Sequence, residues 1–156
     1  MDSAIEDIAK FNKDAGLLEN EYNDSLESAF QIEEALEGFD LTMLSRLLAP
    51  RSPVMSAKEV SRAIVKIVAD VTPTGLTDVE RFDKHCDGFV YHIGSFAKLG
   101  LSPTQIKEGI DVVMTANKAK VGCPRDEVGK LMKPANFNEL YAPEPKLKAI
   151  LSKRSK

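Results

Sequence analysis

The chain has 156 residues, 43% of them hydrophobic and 29% charged, with a formal net charge of -3. That is enough chain for one domain to bury a core without disulfides or structural metals. The near-balance of 21 basic and 24 acidic side chains argues against a dedicated nucleic-acid or anionic-membrane binder.

No segment approaches the roughly 20 consecutive apolar residues of a membrane span. The opening MDSAIEDIAK carries early acids and no apolar run, unlike a secretory signal. Cys86 and Cys123 have no metal-ligand spacing. They suit a reducing compartment, and the expectation is a cytoplasmic protein.

Helical periodicity runs through the chain. Ile5, Ile8 and Ala9 give a short first helix that ends near Gly16. Asn23 or Asp24 caps a long second helix, expected to run to about Ala49, where Pro50 and Pro53 stop it. Ser56-x-x-Glu59 is a capping box for a third helix reaching about Val71, and Thr72-Pro73-Thr74-Gly75 breaks it. Thr77-x-x-Glu80 opens a fourth helix to about Leu99, followed by Gly100 at a C′ position. Ser102-Pro103-x-Gln105 opens a fifth, ending near Lys118 or Lys120. From Val121 the chain is Gly- and Pro-rich and basic, and reads as loop with a short helix around 146–153. With no strand pattern or internal repeat, the expectation is an all-α bundle of about five helices, completed by oligomerisation. The single domain spans 1–156, with its core at about 23–120 and a basic loop and tail at 121–156.

Two helices carry acids where a core face belongs. On a wheel of about 100° per residue, Leu26, Phe30, Leu41, Leu44 and Leu48 form one stripe of the second helix. Glu33 and Glu37 fall inside that stripe, Asp40 close by and Glu34 on its flank. On the fourth helix Asp83 and Asp87 lie in the middle of the Val79, Cys86, Val90 and Ala97 face. Phe82, Phe89, Ile93 and Phe96 form a second apolar flank, so the wheel predicts a mostly buried helix. A Glu-Glu-x-x-Glu string alone is ordinary solvated surface. Inside an apolar stripe, buried carboxylates need neutralising, by basic partners or by metal ions. All-oxygen clusters suit Mg²⁺ or Mn²⁺. Spacings of i, i+3 and i, i+4 bring Glu34/Glu37, Glu33/Glu37 and Asp83/Asp87 to one side of their helices. Glu80 already serves a capping box and is a further candidate ligand.

These residues resemble the MazG-like, all-α nucleoside triphosphate pyrophosphohydrolase superfamily. The likeness rests on IEEALEGF, on VERFDKHCDGFVYHIGSFAKLGL, on the Asn-x-x-Lys ending of DVVMTANKAK, and on VGKLMKPANF. The last is similar to a segment of the branch related to phosphoribosyl-ATP pyrophosphohydrolase. Together they cover most of the chain after about residue 28. The segment from Leu48 to Thr77 departs from the pattern by holding an extra helix. Lys84 stands where some members have Glu, which leaves the ligand pair open between Glu80/Asp83 and Asp83/Asp87.

The resemblance implies Mg²⁺-dependent attack at the α-phosphorus of a nucleoside triphosphate, releasing pyrophosphate and a monophosphate. It assigns metal binding to Glu34, Glu37, Asp83, Asp87 and Glu80, and proton abstraction to Glu33 or Glu34. It assigns phosphate or sugar contacts to Asn117, Lys120, Lys130 and Lys133, with Arg125 a lesser candidate. It also implies a homodimer or homotetramer, and no nucleic acid or membrane partner. The substrate stays open among dGTP or GTP, dUTP and phosphoribosyl-ATP. A non-enzymatic helical assembly module is the competing reading. A di-iron carboxylate bundle is excluded because neither His85 nor His92 follows a Glu at Glu-x-x-His spacing.

Overall fold

Each expected capping box closes in the computed structural model, which describes residues 2–19, 21–71, 75–126 and 129–154. Among the described residues there are eight α-helices and one 3-10 turn, and the β pairing is a single bridge between Arg125 and Leu131. The fold is all-α, as the periodicity predicts. The expected break at Thr72-Pro73-Thr74 lies outside the described residues. The chain divides into two compact units, one of Glu21–Lys84 and one of Met1–Asn20 with His85–Lys156.

In the Glu21–Lys84 unit, α2 (Asp24–Leu36) starts under Asn23, whose side chain accepts a hydrogen bond from the Leu26 amide at 2.9 Å. The helix then stops thirteen residues short of expectation. Gly38 adopts φ +85, and Phe39 N–H donates to the Leu36 carbonyl at 3.2 Å, which closes a turn. That left-handed conformation is available to glycine at little cost. Asp40 then accepts from the Thr42 amide at 2.9 Å and starts a separate α3 (Thr42–Leu48). That hydrogen bond holds the Asp40 carboxyl below the usual carboxylate range. The single long helix predicted over 23–49 is therefore two helices, because Gly38 and Asp40 form a stop and a restart.

The double-proline loop returns through a hydrogen bond from the Met55 amide to buried Ser45 Oγ at 2.9 Å. Ser56 and Glu59 then close their box: the Ser56 amide donates to Glu59 Oε2 at 2.8 Å and the Glu59 amide to Ser56 Oγ at 3.3 Å. The resulting α4 (Ala57–Val71) is the main packing partner of α2. Its face includes Val60 and Ser61, both fully buried, against a helix that buries Ala29 and Glu33. Ser61 Oγ donates to the Lys58 carbonyl at 3.0 Å, so its burial leaves its hydroxyl donor satisfied.

α5 (Asp78–Lys98) begins in this unit, and its residues from His85 onward belong to the other. Arg81 fixes its start, with Nη2 donating to Asp24 Oδ2 at 2.8 Å and Nε reaching both Asp24 oxygens at 3.2 Å. The guanidinium also lies 5.2 Å from the Tyr22 ring centroid. α5 ends as expected: Gly100 has φ +79, the Gly100 amide donates to Ala97 and the Leu101 amide to Phe96. Those two bonds are the signature of a Schellman cap.

In the other unit, α1 (Asp2–Asp14) packs on α6 (Pro103–Lys118), and α6 packs on α8 (Glu144–Ser152). The core here is Ala4, Ala15, Met114, Ala116, Phe137 and Ile150. A short α7 (Phe137–Leu140), not foreseen from the sequence, sits within the expected loop.

Candidate functional site

The acids of α2 are split by the break at Gly38. Glu33 is buried, 7% exposed, on the helix that packs along α4. Its neighbour Glu34 is exposed. Glu37 caps the C-terminal end of α2, outside the helix and exposed. It lines a shallow cleft of about 410 Å³ with Gly38, Phe39, Asp40 and residues 54–57. The wheel that put Glu37 and Asp40 in one stripe with Leu41, Leu44 and Leu48 assumed an unbroken helix. It therefore fails beyond Leu36.

The expectation of a mostly buried fourth helix is also corrected. No described residue of α5 is buried, and Val79, Phe82 and Tyr91 are 78%, 73% and 74% exposed. Asp83 and Asp87 are exposed with them. Its apolar side chains occupy more than one flank; Ile93 and Phe96 are half-buried, while Val79, Phe82, Phe89, Val90 and Tyr91 are exposed. His85 is half-buried and His92 is exposed.

Glu80 is a cap. Its Oε2 accepts from the Thr77 amide at 2.8 Å and from the Thr77 hydroxyl at 2.7 Å, while its own amide donates to Thr77 Oγ1 at 3.3 Å. These bonds hold its carboxyl below the ordinary glutamate range. Lys84 reaches back toward Ser28 Oγ on α2 at 3.4 Å.

As a donor set, Glu33, Glu34, Glu37, Asp83 and Asp87 are all hard oxygen ligands of the kind Mg²⁺ takes. Among the described residues, no three acidic, His or Cys side chains gather closely enough to hold a metal ion. The structure also supplies a cation that the α2 wheel does not reveal. Arg62 on α4 carries a buried Nη2 atom with no hydrogen-bond partner among the described residues.

The basic residues of the C-terminal region are better gathered. Lys120 Nζ donates to Asn117 Oδ1 at 2.7 Å, so the expected Asn-x-x-Lys pair is in contact. Lys120 Nζ lies 5.4 Å and Lys133 Nζ 5.1 Å from the centroid of the same ring, that of buried Phe137. Lys130 sits on a tight return. Its amide donates to Asp126 Oδ1 and its carbonyl accepts from the Asp126 amide, both at 2.9 Å. Arg125, named as a lesser phosphate candidate, has a structural task. It donates to the Gly129 carbonyl at 2.8 Å and to the Ala15 carbonyl, which ties the loop to the end of α1.

Sequence reasoning missed Phe137. Its signal was a lone aromatic residue in the otherwise non-aromatic stretch KPANFNE. Comparison with family models, with curated proteins and with solved structures finds no match to this chain.

Proposed function

We propose that the chain is a Mg²⁺-dependent nucleoside triphosphate pyrophosphohydrolase. The observation that carries this reading is the burial of Glu33 on the packed face of α2, next in sequence to exposed Glu34. A desolvated carboxylate is expensive, and a site that uses it is a reason to keep it. The contact of Asn117 with Lys120, and the shared ring beneath Lys120 and Lys133, support a phosphate-binding role for the basic set.

In this reading Glu34, Glu37, Asp83 and Asp87 would hold metal once drawn together by it, and Glu80 would join them only through the oxygen not engaged with Thr77. Mg²⁺ bound there would neutralise triphosphate charge and lower the pKa of a water. Glu33 or Glu34 takes the proton of that water. The water oxygen bonds to the α-phosphorus, the bond from that phosphorus to the bridging oxygen breaks, and its electron pair leaves with pyrophosphate. Asn117, Lys120, Lys130 and Lys133 hold the outer phosphates or the sugar as hydrogen-bond donors and point charges. The uncovered apolar side chains of α5 support assembly into a homodimer or homotetramer.

The test is a panel of triphosphates with Mg²⁺, scored for pyrophosphate release, with dGTP, GTP, dUTP and phosphoribosyl-ATP included. Glu37→Gln and Asp83→Asn each abolish release while the helical circular dichroism stays native. Full activity in either variant removes the metal assignment, and no release from any substrate removes the whole reading.

A second reading, a non-enzymatic helical assembly module, is favoured by the bare side chains of α5 and by the buried Arg62 nitrogen. Melting with and without Mg²⁺ plus nucleotide separates the two, because ligand stabilises an enzyme site and leaves a plain module unchanged.

A further inference from the structure

Two lysine ammonium groups converge on one ring. Lys120 comes from the turn after α6 and Lys133 from the loop ahead of α7, and both lie within 5.4 Å of the Phe137 centroid. The ring is 4% exposed, so it is a fixed platform. Its position is set by the Pro134 turn, where the Phe137 amide donates to the Pro134 carbonyl at 3.0 Å, and by Tyr141, whose ring centroid is 6.2 Å away. Lysine is a flexible side chain that loses conformational entropy when it must hold one position. An aromatic ring attracts a cation and so supplies part of that order in advance. Asn117 adds a second restraint on Lys120 through the 2.7 Å bond to its oxygen. Bringing like charges to one ring costs repulsion, and an anion with two charged groups relieves it.

We propose that Phe137 is the positioning residue of a polyphosphate-binding site, holding Lys120 and Lys133 as a pair that engages adjacent phosphates. This rests on the reading of the lysines as phosphate ligands, but not on hydrolysis.

The probe is inorganic pyrophosphate, titrated calorimetrically into the full chain. Phe137→Leu keeps apolar volume and removes the π face, and weakens pyrophosphate binding by about 10-fold, the order expected when two long side chains lose their preorganisation. Phe137→Tyr keeps the face and restores binding to near the native value. In the hydrolysis assay Phe137→Leu lowers kcat/KM and Phe137→Tyr restores it, since the outer phosphates leave as pyrophosphate and gain charge as the bond breaks. Native affinity in Phe137→Leu, or equal weakening in the Leu and Tyr variants, overturns the proposal. If Phe137→Leu does not fold, NMR of the native chain decides. The Lys120 and Lys133 ε-methylene protons are shifted upfield by the ring and move together on adding pyrophosphate, and absence of either effect overturns the proposal. A chain that binds pyrophosphate in this Phe137-dependent way but hydrolyses no triphosphate supports the site and removes only the hydrolase reading.

Discussion

Replacing Glu33 by leucine separates a metal-site carboxylate from a structural one by the sign of a stability change. Glu33 is 7% exposed on the face of α2 that packs along α4, and leucine has similar bulk without the charge. If the carboxylate is held there for metal chemistry, its burial costs the metal-free protein more than its polar contact returns, and an apolar replacement of similar volume stabilises by about 1–3 kcal/mol. For a chain of 156 residues melting as one, each kcal/mol moves the midpoint by about 2–4 °C. The assay is urea and thermal unfolding of the metal-free chain, followed by melting with Mg²⁺ and a triphosphate. Glu33→Leu is expected to gain stability while losing the ligand-induced shift and pyrophosphate release. The opposite sign refutes this reasoning. If Glu33 instead neutralises a cation such as Arg62, whose Nη2 atom is buried, leucine strands that cation and costs about 3–5 kcal/mol. Glu33 is then a core ion-pair partner and no part of a metal site.

Gly38→Ala is expected to cost about 1 kcal/mol by urea titration, the conformational cost of φ +85 alone, because a Cβ there meets nothing within 4 Å. A cost several times larger refutes the account of an open turn. Ser102→Ala removes the cap that accepts from the Gln105 amide at 3.3 Å and costs about 1 kcal/mol, with Ser102→Gly losing less. Acid unfolding reports the other two boxes. Glu59 and Glu80 are held below their usual values by hydrogen bonds from Ser56 and Thr77. Their stabilisation is complete above the ordinary glutamate range and fades as pH falls through the lowered values. The double variant Glu59→Gln, Glu80→Gln therefore flattens the acid limb of a helicity titration. An unchanged limb shows the boxes contribute nothing there.

Helix starts were the most legible part of the sequence. Ser56/Glu59, Thr77/Glu80 and Ser102/Gln105 each place a hydroxyl and a complementary acceptor three residues apart, and each closes reciprocally. The stop inside 23–49 was less legible. A lone glycine in a helical pattern is tolerated, and here its meaning depends on Asp40, two residues later, accepting from the first amide of a new helix. Of the acids, Glu33 lies where the wheel puts it, because the register from Asp24 to Leu36 is continuous. Glu37 does not, because the register is lost at Gly38. The state of α5 was not legible at all. A wheel shows that a face is apolar and says nothing of what covers it, and here the apolar residues of α5 are largely solvent-facing within one chain. Phe137 escaped because its partners are lysines, and periodicity searches ignore cations.

The Arg81 grip on Asp24 joins positions 57 residues apart, the first turn of α2 and the start of α5. Everything from Asp24 to Arg81 is thereby a lasso with a tied neck, containing α2, α3 and α4. Closure entropy grows only with the logarithm of length, about 0.6 kcal/mol per doubling, so a lasso accepts extra chain cheaply. The knot is ionic, and salt is the reagent that loosens it.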